Sequence, residues 1–207
     1  MRIGILIPYR GTQKDKSRLR IDLDDKLVDS LLNKTIKHVV KEVSKVRMEK
    51  TIYLLTKMEN IDFNEINTIL QDQSNDLNIA IEEAIREIEE EIIVIIMADL
   101  PLIKTENLEK IIKLHRKEGK IIIAPSPDNG TSILCFNKKI KFPFLFGKNS
   151  SLRFKENFKG NRIDFQLLTH EKSYNDIDTF KDLIELSKLN FIPDWLRKML
   201  EICGLYE

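Results

Sequence analysis

The 207-residue chain is 42% hydrophobic and 32% charged with a net charge of +1, which describes a globular domain with a sizeable core and a well-solvated surface. Such a balance offers no general attraction for nucleic acid or an anionic membrane, so any cationic site must be local. Cys135 and Cys203 form no CxxC pair, and His38, His115 and His170 are too scattered for a zinc motif, which excludes a disulfide scaffold and a zinc centre.

The opening "RIGILIP" is a short Ile-rich run that predicts a buried strand ending at Pro8. It is too short for a signal peptide, and no segment approaches the ~20 apolar residues of a membrane span, so a cytoplasmic protein without a membrane partner is expected. A basic loop, "YRGTQKDKSRLR", follows. From Asp22 to Val46 the apolar residues recur at helical spacing, with an interruption expected near Asn33.

"TIYLLT" predicts a second strand, and the stretch from Asp62 to Gln71 a short helix or a helix with a turn. "DLNIAIEEAIREIEEE" carries Leu77, Ile81, Ile85 and Ile88 on one face and reads as an amphipathic helix. Ile92 to Met97 predicts a third strand, and Thr105 to Lys117 a helix ended by Gly119. "KIIIAPS" and "SILCFN" read as two strands joined by the turn "DNGT". A helix over Leu152–Phe158, a sixth strand at "RIDFQLLT" and helices over Thr179–Leu189 and Pro193–Ile202 complete the chain.

Alternation of strands and helices predicts an α/β fold: a single domain over residues 1–207, with a mixed, mostly parallel sheet flanked by helices. The direct strand–turn–strand passage after Pro125 adds an antiparallel member. In such a sheet ligands bind beyond the carboxyl ends of the strands. The loop after the first strand holds Arg10, Lys14, Lys16, Arg18 and Arg20 against Asp15 alone, a charge pattern that suits a triphosphate or simply a solvated loop. Neither a Walker A sequence nor GxGxxG is present.

Asp99 closes the most apolar segment of the chain. It either assists a helix start near Pro101 or, beside a phosphate site, holds Mg²⁺ through oxygen. A second acidic cluster, "NDIDTFKDL", follows the sixth strand. There Asp178 or Thr179 caps a helix with Asp182 in support, leaving another acid to face the site. "DNGTS" and "FGKNSS" combine glycine with hydroxyl groups, as turns do and as anion sites do where main-chain amides approach the ligand.

Taken in order, "KSRL", "LNIAI", "MADLPLI", "NGTSIL", "FGKNS" and "DIDTFKDL" resemble the 2-phospho-L-lactate guanylyltransferases, the CofC family of deazaflavin coenzyme F-420 biosynthesis, with a GT-A-like fold. The resemblance covers Pro8 to Leu183. It implies that GTP and a phosphorylated three-carbon acid give a guanosine diphospho-acid and pyrophosphate with Mg²⁺ as cofactor. Carried over by position, Lys16, Arg18 and Asp99 are the catalytic set, and Pro8, Arg10, Lys16, Arg18 and Asn78 belong to the nucleotide site. Thr131, Gly147 and Ser150 face the acid. Asp99 and Asp176 hold the metal, with Asp178 as the alternative to Asp176.

Two departures concern the acid. Arg10 stands where the family usually has lysine, and Ser132 where it commonly has asparagine, so phosphoenolpyruvate or 3-phosphoglycerate can replace 2-phospho-lactate. Other readings are a nucleotidyltransferase for molybdopterin or a sugar phosphate, disfavoured by a first loop with only Gly11, and a non-catalytic nucleotide-binding module. The C-terminal helix, with Trp195, Leu196, Met199, Leu200 and Ile202 in register, closes the core or supports a homodimer.

Overall fold

The computed structural model describes residues 2–11, 16–58 and 63–206. Seven strands form one sheet: β1 (Ile3–Pro8), β2 (Lys50–Thr56), β3 (Thr68–Gln71), β4 (Ile92–Ile96), β5 (Ile121–Pro125), β6 (Thr131–Asn137) and β7 (Phe165–Leu167). The helices are α1 (Leu19–Asp22), α2 (Asp25–Ser44), α3 (Leu77–Glu87), α4 (Thr105–Glu118), α5 (Ser150–Gly160), α6 (Phe180–Ser187) and α7 (Asp194–Ile202), with a 3₁₀ turn at Lys172–Tyr174.

The spatial order is β3-β2-β1-β4-β6-β5-β7. Only β6 runs against the others, pairing antiparallel with both β4 and β5. β1 and β4 are buried at every residue, as strands covered on both faces must be. From β1 the chain moves outward to β2 and β3 and then returns to β4 on the other side. That reversal opens a crevice at the carboxyl ends of β1 and β4.

Helices cover both faces. Ile36, Val39 and Val43 of α2 and Leu108, Ile111 and Ile112 of α4 pack against Ile5, Ile7, Val94 and Ile96. The opposite face of the sheet meets Ile81 and Ala84 of α3 and Phe154 and Phe158 of α5. A third cluster joins Leu19, Val28 and Leu31 to Leu183, Leu196, Met199 and Leu200. The C-terminal helix therefore closes the core with these residues, while Ile202 stays 68% exposed. Among the described residues no helix is long and apolar enough to cross a membrane.

Several sequence expectations change. α2 runs without a break past Asn33, because Leu31, Leu32, Thr35 and Ile36 keep one buried stripe through that point. The helix expected over Asp62–Gln71 is not formed: Thr68–Gln71 is a parallel edge strand on β2, with Leu70 alone buried. Asp62 itself lies outside the described residues. α5 begins at Ser150, two residues earlier than expected, and the sixth predicted strand shrinks to Phe165–Leu167.

Ile5 is fully buried at the centre of the sheet, between Ile52 and Val94. Replacement Ile5→Ala is expected to cost about 2–5 kcal/mol and Ile5→Val about 0.5–1.5 kcal/mol. Urea titration checks this through a lower midpoint at unchanged slope.

Candidate active site

Three carboxylates meet beyond the ends of β1 and β4. Asp99, Asp176 and Asp178 each offer an oxygen, and these atoms all lie within 4.8 Å of one another. Lys16 Nζ sits among them, donating to Asp99 Oδ2 at 2.5 Å and also to Asp178 Oδ1. Burial alone would lower the Lys16 pKa, but Asp99 and Asp178 outweigh it and hold the ammonium above the ordinary lysine value. Asp176 shows the opposite balance: burial, then repulsion from Asp99 and Asp178, pushes its carboxyl up to about 7.

Main-chain bonds account for the convergence of acids so distant in sequence. The Ile177 N–H, between Asp176 and Asp178, donates to the Asp99 carbonyl at 3.2 Å. Met97 N–H donates to the Ser132 carbonyl at 3.0 Å, which ties the end of β4 to β6. Ser132 Oγ in turn donates to the Tyr174 carbonyl at 2.6 Å. Beyond the acids, Asp182 Oδ2 accepts from the N–H groups of Asp178 and Thr179 at 3.0 and 2.7 Å. Thr179 is the N-cap of α6 with Asp182 in a capping box, so neither Asp176 nor Asp178 is spent on capping, and both face the site. Nor does Asp99 start a helix, since α4 begins only at Thr105.

The acids border a cavity of about 680 Å³. Lys16, Ser17 and Arg18 form one wall. Its lining also includes Thr131 and Ser132 of β6, the turn residues Ser126, Asp128 and Gly130, and the loop Phe146–Ser150. The turn is built tightly: Asp128 Oδ1 accepts from Ser126 Oγ at 2.5 Å and from Gly130 N–H at 2.9 Å. A Cβ on Gly130 would lie 2.4 Å from Ser126 Oγ, so a side chain there displaces the hydroxyl that Asp128 accepts. Ser150 Oγ donates to Thr131 Oγ1 at 2.8 Å, joining the start of α5 to the start of β6. An annex of about 200 Å³ includes Pro8, Tyr9, Arg10, Leu32 and Ala98.

Most of the residues expected at a site are therefore gathered here. Lys16, Arg18, Asp99, Thr131, Gly147, Ser150, Asp176 and Asp178 share one cavity, and Pro8 lines its annex. Lys14 lies outside the described residues. Arg10 reaches the annex, but its guanidinium turns to Asp72 at 2.6 Å and to the carbonyls of Asn75 and Ser74 at 3.1 and 3.3 Å. Asn78 commits its amide to the main chain of Phe146, while Leu77 lines the cavity. Asp128, from the "DNGTS" turn, and Met97, from "MADLPLI", line it too, as does Ser126, which the sequence motifs do not single out. The polar run from Ser126 to Ser132 was the available signal for it. A larger groove of about 1110 Å³, between α2 and residues 189–197, is walled mainly by lysines and aromatic rings and holds no carboxylate cluster.

The donor set suits a hard divalent cation. All three ligand candidates are carboxylate oxygens, and Asp99 Oδ1 is buried without a hydrogen-bond partner, an acceptor a cation would satisfy. A divalent charge there would replace the mutual repulsion that raises Asp176 by attraction.

The family model described as "Guanylyl transferase CofC like" matches residues 3–190. The chain belongs to this family. Among curated relatives of this CofC-like chain, the phosphoenolpyruvate guanylyltransferase of Thermobaculum terrenum is 27% identical over 195 residues, spanning 91% of this chain and 84% of the relative. The 2-phospho-L-lactate guanylyltransferase of Methanocaldococcus jannaschii is 30% identical over 190 residues, spanning 90% and 83%. A crystal structure from Desulfovibrio desulfuricans G20, assigned to the nucleotide-diphospho-sugar transferases, superposes with a TM-score of 0.79 at 17% identity and covers 98% of this chain and 94% of its own. A cytidylyltransferase from Leptospira borgpetersenii gives a TM-score of 0.63 at 15% identity, covering 99% and 94%. The mixed α/β fold of this CofC-like chain is thus that of the nucleotidyltransferases.

Because Tyr174 is fully buried, removing the Ser132 hydroxyl leaves its carbonyl short of a donor two residues from Asp176. Ser132→Ala is expected to lower the unfolding free energy by about 1–3 kcal/mol. Chemical denaturation reads the loss; an unchanged stability would show that the Ser132 bond does not hold this segment.

Proposed function

We propose that this CofC-like protein transfers the guanylyl group of GTP to the phosphate of a phosphorylated three-carbon acid, with 2-phospho-L-lactate as the acceptor, in F-420 biosynthesis. The observation that carries the reading is the meeting of Asp99, Asp176, Asp178 and Lys16 in one crevice whose lining also includes Thr131 and Gly147–Ser150. In the reaction an acceptor phosphate oxygen forms a bond to the α-phosphorus, the α-phosphorus–bridging-oxygen bond breaks, and pyrophosphate leaves with the electron pair. No side-chain nucleophile is needed, which fits a cavity with neither cysteine nor histidine among its described lining residues.

Lys16 and Arg18 neutralise the triphosphate and line up the α-phosphorus. Asp99 and Asp176, with Asp178 beside them, would hold Mg²⁺, which supplies charge neutralisation to the transferring and leaving oxygens. Among the other lining residues, the Thr131 hydroxyl, oriented by its bond from Ser150 Oγ, and the amide of Gly147 receive the acid, whose carboxylate and phosphate are both anions. A second reading, phosphoenolpyruvate as acceptor, is supported by the name of the Thermobaculum terrenum relative.

Mass spectrometry after incubation with GTP, Mg²⁺ and a mixture of 2-phospho-L-lactate, phosphoenolpyruvate and 3-phosphoglycerate identifies the acceptor by product mass. We expect the lactyl product to dominate; no product from any of the three acids would overturn the reading. Asp99→Asn is expected to keep the fold by circular dichroism and to slow Mg²⁺-dependent pyrophosphate release at least ~100-fold, since a missing metal ligand removes several kcal/mol of transition-state stabilisation. Full activity in this variant would remove Asp99 from the mechanism.

A further inference from the structure

The wall segment Phe146–Ser150 has a backbone that needs outside support. Gly147 has φ of 120° and Asn149 φ of 55°, two left-handed conformations within three residues. Its root is Phe146, whose ring packs on Phe154 at a centroid distance of 5.5 Å and on Phe144 at 6.4 Å. The main chain of Phe146 is held by one side chain from 68 residues away. Its N–H donates to Asn78 Oδ1 at 2.7 Å, and Asn78 Nδ2 donates to its carbonyl at 3.2 Å. The side-chain amide thus makes the paired contacts that a neighbouring strand residue would make.

Asn78 is itself held from the nucleotide side. It lies in the first turn of α3, where Asp76 caps the helix by accepting from its N–H at 2.6 Å. The loop just before is gripped by Arg10 at the end of β1, through the Asp72 carboxylate at 2.6 Å and the Asn75 and Ser74 carbonyls. Asp72 is 6% exposed, so this ion pair is largely withdrawn from water. Ser74 links Asp72 to Asp76: its N–H donates to Asp72 Oδ1 at 3.0 Å, and its Oγ accepts from the Asp76 N–H at 3.1 Å. A path of polar contacts therefore runs from Arg10 through Asp72, Ser74, Asp76 and Asn78 to Phe146.

We propose that Asn78 is a positioning residue for the acceptor side of the reaction: its amide brackets Phe146 and so fixes the Gly147–Ser150 loop that receives the phosphorylated acid. The inference rests on the guanylyltransferase reading for the identity of that ligand, whereas the bracket itself is independent of it. Replacing Asn78 with alanine removes both bonds. Asn78→Asp keeps the acceptor for the Phe146 N–H but turns a carboxylate towards the Phe146 carbonyl.

Two measurements decide it. In steady-state kinetics, Asn78→Ala should raise KM for the phosphorylated acid about tenfold or more, the factor that corresponds to losing one net hydrogen bond, while KM for GTP stays within about twofold. In amide-resolved hydrogen exchange on the free protein, the Phe146 N–H should lose protection in Asn78→Ala and keep most of it in Asn78→Asp. A selective rise in the GTP constant, an equal rise in both, or no change in either would overturn the assignment, as would unaltered exchange at Phe146. If Asn78→Ala does not fold, Asn78→Asp carries the kinetic test with the same criteria. A wild-type protein that transfers nothing to any acid would sink the proposed function, yet the exchange result would still test the bracket.

Discussion

The site depends on forcing like charges together. Asp99 and Asp176 present oxygens within 4.8 Å, and two full charges at that separation repel by roughly 3 kcal/mol at the effective dielectric of a protein interior. The fold sustains this by meeting the carboxylates with the Lys16 ammonium and by gripping the chain on either side of them. Ile177 is bonded to the carbonyl of Asp99, Tyr174 to Ser132, and Asp178 and Thr179 to Asp182. The acids stay assembled because their backbones are tied, while burial, and after it repulsion from Asp99 and Asp178, raises the pKa of Asp176. A cluster of this kind is poised to accept positive charge.

The two sides of the cavity are built by different physics. Around the acidic cluster charge dominates: Lys16 and Arg18 follow β1 and Asp99 follows β4, both strands apolar throughout, while Asp176 and Asp178 enter from the loop before α6. The lining from β6 to α5 combines hydroxyls, a glycine-bearing turn, Asp128, Lys148 and a loop anchored by aromatic packing. The two curated relatives are both named guanylyltransferases but differ in the acid named. The Arg10–Asp72 pair and the Asn78 amide connect the two sides without lining the main cavity.

Much of the architecture was legible along the chain. Runs such as Ile3–Pro8 and Ile92–Ile96 are apolar at every position, which only a doubly covered strand requires, and the helices announce themselves by one buried stripe. The edge strand Thr68–Gln71 escaped because one face of a short edge strand is solvated and its residues carry little periodic signal. The ordered motifs by themselves point to Lys16, Arg18, Asp99, Asp176 and Thr131, and all of these share the cavity. Arg10 and Asn78 were singled out by the same motifs, but a motif shows the residue and not where its side chain is spent.

Residue type and order alone established a nearly neutral α/β chain with a cationic first loop, an acid shortly after the Ile92–Ile96 strand and a second acidic cluster before a late helix. They also established the family resemblance, because hydrophobic period and motif order are properties of the chain itself. Tertiary structure alone decided that Asp176 and Asp178 both face Asp99, that Thr179 takes the helix cap, and that Asn78 serves the Phe146 loop. Each of these is a choice between partners far apart in sequence. Such a choice is settled by which backbone groups the sheet brings within hydrogen-bond reach, and nothing local in the chain encodes that distance.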